Sequence, residues 1–342
     1  MPARIFNAVK TEIASTSSPN ERALAIARAV ALLQAGEIVA LPTETVYGLA
    51  ADALSATAVA KIFETKQRPH FDPLIVHLPG PDWLEKITVI KGDARPLIER
   101  LATAFWPGPL TMVLPKTEWI PSLVTAGLTT VAVRMSAHPI FREVVQSFGQ
   151  PLAAPSANRF GRISPTTAAD VLEELVGRIP LIVDGGSTTH GIESTVIAPR
   201  GGVIEILRPG PITREELESF GQVQFRNSDK AESPGQLPSH YRPETPLMIV
   251  DDITAVSVPQ GQRYGALLWS DVPFSQTFVE SRRLSPARDL REAAANLFRQ
   301  LRELDHANLD CIVAEAVPEK GLGIAIMDRL RRAAHRLGAV RR

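Results

Sequence analysis

A charged turn leads directly into a buried strand at residues 66–77, which read Lys66-Gln67-Arg68-Pro69-His70-Phe71-Asp72-Pro73-Leu74-Ile75-Val76-His77. Proline disfavours helical backbone for the residue before it, so we expect Arg68 and Asp72 to be extended. In an extended segment Lys66 and Arg68 project to the same side, out of the turn and away from the core. Such a pair of cations suits a polyphosphate, because arginine offers a planar fork and lysine a point charge. A solvated basic turn would have the same residues, and this stretch alone leaves both interpretations open.

Length and composition are those of a globular protein large enough for two domains. The chain has 342 residues, 44% of them hydrophobic and 22% charged. Lys+Arg and Asp+Glu both number 37, so no overall charge favours nucleic acid or a membrane surface. The single cysteine, Cys311, excludes an internal disulfide and a cysteine-built zinc site, and it predicts a reducing, cytoplasmic location. Without an export signal at residues 1–18 or a run of about twenty apolar residues, the chain is expected to be neither exported nor membrane-spanning.

Short apolar strands and amphipathic helices alternate through residues 1–221. Ser18-Pro19-Asn20-Glu21 is a capping box that opens a helix ending at Gly36, and Ser55 opens a second helix that leads to Lys66. Buried strands are predicted at 37–41, 73–78, 110–114, 130–134 and 181–184, followed by a hairpin of 194–198 and 203–207. This alternation indicates an α/β domain.

Polar side chains interrupt the apolar pattern at two places in the middle of this domain. Period two puts Thr130 and Arg134 on one face of a strand, opposite two valines, although a strand with one solvated face would look the same. Ser164 precedes Pro165 and Thr166 at the start of a predicted helix. A free helix N-terminus attracts anions, so this end is a candidate phosphate contact.

Hydroxyl, amide and imidazole groups mark three further places. Thr43 and Thr45 lie in the turn after the first buried strand, where loops carry function, although both hydroxyls would also suit a cap. Small residues precede Ser156 and Asn158 and let a ligand approach the backbone. His77 shares a strand face with an apolar neighbour, which is more typical of a core histidine than of a ligand.

The character of the chain changes after Gly221. Residues 222–246 are polar and proline-rich, which predicts a linker between domains 1–221 and 247–342. In the second domain, strands at 247–250, 264–269 and 311–315 alternate with amphipathic helices, as in a small parallel sheet. The last helix follows Gly321-Leu322-Gly323 and is predicted to turn Leu322, Ile326, Leu330 and Leu337 inward and Arg329, Arg332 and Arg336 outward as a solvated face.

Taken together, the motifs of this chain resemble those of the YrdC-type threonylcarbamoyl-AMP synthases. The matching segments, in order, are Pro42-Thr43-Glu44-Thr45-Val46-Tyr47-Gly48-Leu49, Lys66-Gln67-Arg68-Pro69, Pro73-Leu74-Ile75-Val76-His77, Trp106-Pro107-Gly108-Pro109, Val133-Arg134-Met135, Pro155-Ser156-Ala157-Asn158 and Gly191-Ile192-Glu193-Ser194-Thr195. The linker and the segment from Gly321 to Leu330 resemble the long, two-domain form of that family.

The resemblance implies a fold and a reaction. The fold would be an N-terminal YrdC-like twisted α/β sheet with a basic cavity, linked to a smaller C-terminal Rossmann-like parallel α/β domain. The reaction would form L-threonylcarbamoyladenylate and pyrophosphate from L-threonine, bicarbonate or CO2, and ATP, by in-line attack of a carbamate oxygen on the α-phosphorus. The product would pass to a downstream threonylcarbamoyl transferase complex for N6-threonylcarbamoyladenosine in tRNA, and a direct tRNA contact stays open.

The resemblance also implies a set of site residues. Lys66 and Arg68 would act on the phosphates during catalysis. ATP would contact Lys66, Arg68, Asp72, Thr130, Ser156, Asn158, Ser164, Arg208 and Tyr241, and L-threonine would contact Thr45, His77, Arg134 and Ser194. Mg²⁺ is expected to arrive with ATP and to be held by phosphates, with no protein side chain as a metal ligand. The linker, which contains His240 and Tyr241, would close over the nucleotide as a lid.

Three other functions fit parts of the pattern. An RNA-binding or assembly protein could use the same basic cavity, although zero net charge and the lack of an aromatic stacking surface argue against it. A serine hydrolase could use Ser156, His77 and Asp184, but no Gly-x-Ser-x-Gly elbow surrounds Ser156. The carbamoyl-transfer module of hydrogenase maturation resembles this domain but carries cysteine-rich zinc fingers, which one cysteine excludes.

Overall fold

The computed structural model of the chain describes residues 9–226, 241–269 and 278–335. In the first part, the elements in chain order are β1 (Glu12–Ser15), α1 (Pro19–Gln34), β2 (Val39–Leu41), β3 (Gly48–Asp52), α2 (Ala56–Lys66), β4 (Ile75–His77), α3 (Asp82–Ile87), α4 (Arg95–Phe105), β5 (Leu110–Pro115), β6 (Thr130–Arg134), α5 (Pro139–Phe148), β7 (Leu152–Ala153), α6 (Ala168–Leu175), β8 (Leu181–Asp184), β9 (Thr195–Arg200), β10 (Val203–Arg208), α7 (Arg214–Glu218) and β11 (Gln222–Phe225). The second part contains β12 (Leu247–Val250), β13 (Tyr264–Leu268), β14 (Glu280–Arg283), α8 (Leu290–Asp305), β15 (Cys311–Glu315) and α9 (Leu322–Ala334).

Local sequence signals account for the main helix boundaries. The Ser18 hydroxyl accepts from the Glu21 amide while the Glu21 side chain accepts from the Ser18 amide, which is the reciprocal capping box expected there. Gly36 follows α1 with φ of 72°, a backbone conformation that glycine adopts without steric cost. Ser55 caps α2 by accepting from the Ala58 amide, as the sequence predicts.

The first part forms one mixed sheet with the order β1-β8-β2-β3-β7-β4-β6-β5-β9-β10-β11. Strands β4 and β6 run parallel, with His77 opposite Arg134, and β5 and β9 also run parallel. The predicted hairpin of β9 and β10 is antiparallel, as expected. The α/β class of the sequence prediction is therefore confirmed. Residues 222–225 correct the proposed start of the linker, because they form β11 and pair with β10.

Apolar clusters cover both faces of this sheet and extend into the second part. Helices α2 and α4 supply buried residues to one cluster, and α1 and α5 supply them to another. The second part is an all-parallel sheet, as predicted, with the order β12-β15-β13-β14, and β14 is a strand that the sequence pattern did not predict. Its main cluster, built around α8 and α9, also contains Val46, Ile163 and Ile192 from the first part, so the two parts share one apolar interface.

Two predicted side-chain environments are wrong. Lys66 is the last residue of α2 and not extended, and Gln67 then adopts the left-handed conformation at φ 53° and ψ 39°. Lys66 and Arg68 are only 1% and 6% exposed, so they do not project from a solvated turn. Arg329, predicted to face outward, is fully buried. Arg336 and Leu337 lie outside the described residues, as do linker residues 227–240. Among the helices that the structure describes, none is long and apolar enough to cross a membrane.

Candidate active site

A cavity lies at the carboxyl ends of β4, β6 and β10, which is where open α/β sheets commonly bind ligands. The strand pairing explains how the side chains meet there, because His77 and Arg134 are register partners on adjacent parallel strands. Eight of the residues predicted from the sequence line this cavity: Thr45, Arg68, His77, Arg134, Ser156, Ser194, Arg208 and Tyr241. Three arginines against one lining carboxylate, Glu193, make the cavity basic.

Arg134 is held in place from the turn that follows β2. Its Nη1 donates to Thr45 Oγ1 at 3.2 Å, and its Nη2 forms an ion pair with Glu44 Oε1. Ser136 donates to the other Glu44 oxygen. Burial acts to raise the pKa of Glu44, but Arg134 and Ser136 outweigh it and hold that pKa below its usual value. The Nε of Arg134 is buried and has no hydrogen-bond partner among the described residues, so a donor stays available for an anionic ligand.

Arg208 and Ser194 form the opposite wall. Arg208 Nη2 donates to the Ser194 carbonyl and to Ser194 Oγ, both at 3.0 Å, and its Nε donates to the same carbonyl at 3.1 Å. Thr111 Oγ1 lies 2.8 Å from Ser194 Oγ. This network fixes the orientation of the Ser194 hydroxyl, which is fully buried.

Residues 66–77 line one side of the cavity through Arg68, Ile75 and His77, whereas Lys66 is not a lining residue. Lys66 Nζ donates to the backbone carbonyls of Ser156 and Asn158, the first at 2.5 Å, which leaves one of its three donors. Arg68 Nε donates to the Asp72 carbonyl at 3.1 Å, and Nη2 donates to the Pro73 carbonyl at 2.8 Å. Burial and the neighbouring Arg68 lower the pKa of Lys66 well below its usual value. Lys66 and Arg68 therefore lie close together, as predicted, but they are buried inside the fold.

Asp72 and Asn158 carry acceptors that the protein leaves unused. Arg68 Nη2 lies 2.8 Å from Asp72 Oδ2, yet the angles do not make a hydrogen bond, and neither Asp72 carboxylate oxygen has one within the described ranges. Burial raises the pKa of Asp72 although Arg68 opposes this. Asn158 Nδ2 donates to the carbonyls of Arg159 and Arg162 at 2.8 Å, while its Oδ1 is also buried and unpaired. Unused buried acceptors are rare in native folds and are common at binding sites.

The second part of the chain contributes Tyr241 to the cavity lining, and Arg329 contacts that tyrosine. Tyr241 is 1% exposed and stacks on Phe298, with ring centroids 5.4 Å apart. Burial and the nearby Glu193 raise the pKa of Tyr241 to about 12. Arg329 of α9 lies 5.3 Å from the Tyr241 ring centroid and donates to Glu193 Oε2 at 2.9 Å. Ser164 donates to the other Glu193 oxygen at 2.5 Å, so Ser164 reaches the cavity wall through Glu193.

Comparison with known proteins identifies the family. The Sua5/YciO/YrdC family model, described as "Telomere recombination", matches residues 31–210, which is more than half of the chain. A second model, "Threonylcarbamoyl-AMP synthase, C-terminal domain", matches residues 212–335. The chain belongs to the threonylcarbamoyl-AMP synthase family.

Similar proteins span nearly the whole chain. The threonylcarbamoyl-AMP synthase of Pyrococcus abyssi is 40% identical over 323 residues, covering 89% of this chain and 92% of that protein. The Bacillus subtilis enzyme of the same name is 41% identical over 340 residues, covering 95% of both. The crystal structure of P. abyssi Sua5 complexed with L-threonine has a TM-score of 0.85 and 38% identity, covering 95% of this chain and 97% of that one.

Thr130 is the one predicted site residue that the structure does not bring to the cavity region. It begins β6, four residues from Arg134, which corresponds to about 13 Å along an extended strand. It lines a second, mostly apolar cavity with Thr129, Pro115 and Arg200. Between the two positions lies Ala132, part of a buried apolar strip with Ile75, Val113, Val196, Ala198 and Leu207. The prediction of an ATP contact for Thr130 stays a prediction.

Three residues with direct roles in the site geometry were not among the predicted site residues. Glu44 and Glu193 lie within the quoted motifs, but nothing in their local pattern says that they pair with Arg134 and Arg329, which are 90 and 136 residues away. Arg329 itself was placed on the solvent side. The hydrolase alternative is not supported, because Asp184 contacts Tyr47 and the Gly186 amide, and not His77.

Metal ligands are scarce in this site. No group of three or more histidine, cysteine or acidic side chains suited to a metal ion occurs within 9–226, 241–269 and 278–335. The carboxylate that lines the cavity, Glu193, already accepts from Ser164 and Arg329. The expectation that Mg²⁺ arrives with ATP and is held chiefly by its phosphates stays a prediction.

Proposed function

We infer that this chain is an L-threonylcarbamoyladenylate synthase that converts L-threonine, bicarbonate or CO2, and ATP into threonylcarbamoyl-AMP and pyrophosphate. The observation that carries this function is the cavity in which three buried arginines meet the hydroxyls of Thr45 and Ser194. Membership of the family, with 40–41% identity over most of the chain, supports the same activity. The P. abyssi relative, solved with L-threonine, supports threonine as the amino acid.

We propose that threonine lies on the Arg134 side of the cavity. The unpaired Nε of Arg134 suits its carboxylate, and the fixed hydroxyls of Thr45 and Ser194 suit its polar groups. His77 closes this side with a ring that packs 4.5 Å from Phe141. Holding the amino acid by its carboxylate leaves the amine free to form the carbamate that attacks ATP.

We propose that the triphosphate lies on the Arg68 side, with Ser156 and the third donor of Lys66. Arg68 uses Nε and Nη2 within the protein, so Nη1 is the donor that can face a phosphate. Asp72, Asn158, Ser164, Arg208 and Tyr241 complete the ATP contacts in this proposal. The apolar strip that contains Ala132 would support the adenosine, with Thr130 at its far end.

In this mechanism the protein acts by positioning and electrostatics. A carbamate oxygen attacks the α-phosphorus in line with the departing pyrophosphate, whose charge Lys66 and Arg68 offset. Mg²⁺, bound with ATP and held chiefly by its phosphates, would supply further charge neutralisation. The product serves N6-threonylcarbamoyladenosine formation in tRNA through a downstream transferase complex, in the cytoplasm, as we propose from the reaction and the single cysteine.

Pyrophosphate release from ATP and bicarbonate, measured with and without each amino acid, tests this function. Release that depends on threonine is the expected result. Release that is indifferent to the amino acid, or that requires a different one, would refute it. The RNA-binding alternative predicts no turnover, and it also requires an accessible basic groove, whereas Arg68, Arg134 and Arg208 are 3–6% exposed.

A further inference from the structure

The proposed reaction needs a proton acceptor in addition to the contacts described above. At neutral pH the amine of threonine is an ammonium group, which has no lone pair and cannot attack carbon. With bicarbonate as co-reactant, conversion of the ammonium to the carbamate releases one water and one proton. A group in the cavity must accept that proton before the C–N bond can form.

The titratable groups that line the cavity leave one suitable acceptor. Arg68, Arg134 and Arg208 are excluded because a guanidinium has no acceptor, and burial raises the pKa of Tyr241 to about 12, so its hydroxyl keeps its proton. Both oxygens of Glu193 already accept, from Ser164 and Arg329. The nearby carboxylates of Glu44 and Asp72 are ion-paired with arginines and do not line the cavity. The remaining group is the imidazole of His77.

The geometry of His77 fits this role. It is the last residue of β4, is 2% exposed and lines the cavity. Its Nδ1 is buried and has no hydrogen-bond partner in the part of the chain that the structure describes. Phe141 fixes the ring from α5, with centroids 4.5 Å apart. A neutral imidazole always has one nitrogen that accepts, and no hydrogen bond joins either ring nitrogen to another described residue, so this cavity-lining ring has an acceptor that the described part of the protein does not use.

Strand register places this acceptor next to the proposed carboxylate site. His77 and Arg134 are partners on adjacent parallel strands, which lie about 4.8 Å apart, and their side chains leave the sheet on the same face. The ammonium nitrogen of an α-amino acid is roughly 2.5 Å from its carboxylate carbon. A threonine held by Arg134 therefore brings its ammonium group to the side of the cavity that His77 occupies.

The charges around His77 make the basicity of its ring depend on bound threonine. Burial, and then Arg134, hold the pKa of His77 well below its usual value, which favours the neutral, proton-accepting form of the ring. The groups that face it are Arg134 from β6, with Glu44 paired behind that arginine, and the uncharged Phe141 from α5. A threonine carboxylate on Arg134 offsets the positive charge beside the ring and makes the ring a better base once substrate is bound.

We propose that His77 is the general base that deprotonates the threonine ammonium, a proposal that rests on the proposed function. One N–H bond breaks and the proton passes to the imidazole. The freed lone pair attacks the bicarbonate carbon, and the C–N bond forms as the C–OH bond breaks. The leaving hydroxide takes a second N–H proton and departs as water, so the products are the carbamate, water and a protonated His77.

His77→Asn, which keeps a polar group but cannot act as a base, tests the proposal. We expect the variant to bind threonine within about threefold of wild type by calorimetry, and to lose about 100-fold or more in kcat/KM for threonine at pH 7. Between pH 7 and 9 the deficit should shrink about tenfold per pH unit, because the solution then supplies the free amine. Phe141→Leu, which alters the packing but keeps the imidazole, should show the wild-type pH profile.

Other results would overturn the assignment. A His77→Asn enzyme with wild-type kcat/KM at pH 7, or with the same deficit at every pH, would make His77 a contact only. If His77→Asn does not fold, His77→Gln takes its place, and the wild-type profile is a second measurement. If His77 accepts the proton, wild-type kcat/KM for threonine should be constant between pH 7 and 8.5. A tenfold rise in kcat/KM per pH unit over that range would refute general-base catalysis in the site. Wild-type release that ignores threonine would instead overturn the proposed function, and His77 with it.

Discussion

Replacing Arg329 with alanine should destabilise the protein more than any surface change on the same helix. The guanidinium is fully buried and donates to Glu193 at 2.9 Å, to the Pro209 carbonyl at 2.9 Å and to Asp328 at 2.8 Å. Its removal leaves the buried carboxylate of Glu193 without its cation. Breaking one side of a buried ion pair costs about 3–5 kcal/mol, because the remaining charge is desolvated and unpaired.

Urea unfolding followed by circular dichroism measures this effect, and α9 provides a matched control. Arg331 is also an arginine in an ion pair, with Glu319, but the two side chains are 55% and 48% exposed. Arg331→Ala should therefore change the free energy of unfolding by less than about 1 kcal/mol. Arg329→Ala should also reduce threonine-dependent pyrophosphate release, because Glu193 holds the Ser164 hydroxyl and lines the cavity.

A double variant separates the charge from the packing. Adding Glu193→Gln to Arg329→Met removes both charges, so it should recover part of the stability that Arg329→Met loses. If Arg329→Ala unfolds at the same urea concentration as Arg331→Ala, the buried pair does not stabilise the interface. If the double variant is no more stable than Arg329→Met, the loss comes from packing and the electrostatic argument fails.

Four further predictions concern the site. Lys66→Ala and Arg68→Ala should each abolish threonine-dependent pyrophosphate release. Each should also lower the unfolding midpoint, because both side chains are buried and donate to backbone carbonyls. Wild-type turnover in either variant would contradict the proposed role of that residue at the phosphates. The folded-state pKa of Glu44 is below its usual 4.5, so the pairing of Glu44 with Arg134 stabilises the protein above about pH 4.5, and this contribution is lost as the pH falls through the lower folded-state pKa. The stabilities of wild type and Glu44→Gln, measured against pH, should therefore differ above that range and converge below it. Parallel stability curves would contradict this. In the pyrophosphate assay serine, which lacks one methyl worth roughly 1–3 kcal/mol, should be a weak substrate and valine, which lacks the hydroxyl, a poorer one; the opposite order would exclude a polar pocket. Limited proteolysis tests the sequence-based prediction of a lid, since ATP with threonine should protect segment 233–241, and equal cleavage with and without ligands would leave that segment a tether.

The amino-acid sequence determined the features that act over a few residues. Ser18 and Ser55 cap helices because their hydroxyls reach amides three residues ahead, and the α/β alternation follows from apolar periodicity. Period two in the strand put Thr130 and Arg134 on one face, and the motifs indicated the family, which the comparisons confirmed.

The tertiary structure decided how distant residues meet. A helical pattern assigns arginine to the solvent side, yet Arg329 is buried because sheet order and domain packing bring Glu193 to it across 136 residues. The same applies to Lys66, whose ammonium group donates to two carbonyls that are 90 and 92 positions away in the sequence. Burying a charged side chain is favourable only where the fold places an opposite charge or hydrogen-bond acceptors beside it. The positions of those partners depend on how non-adjacent strands pair. Local propensity therefore predicted many of the helices and strands, whereas the pairing of buried charges around the cavity depended on the folded chain as a whole.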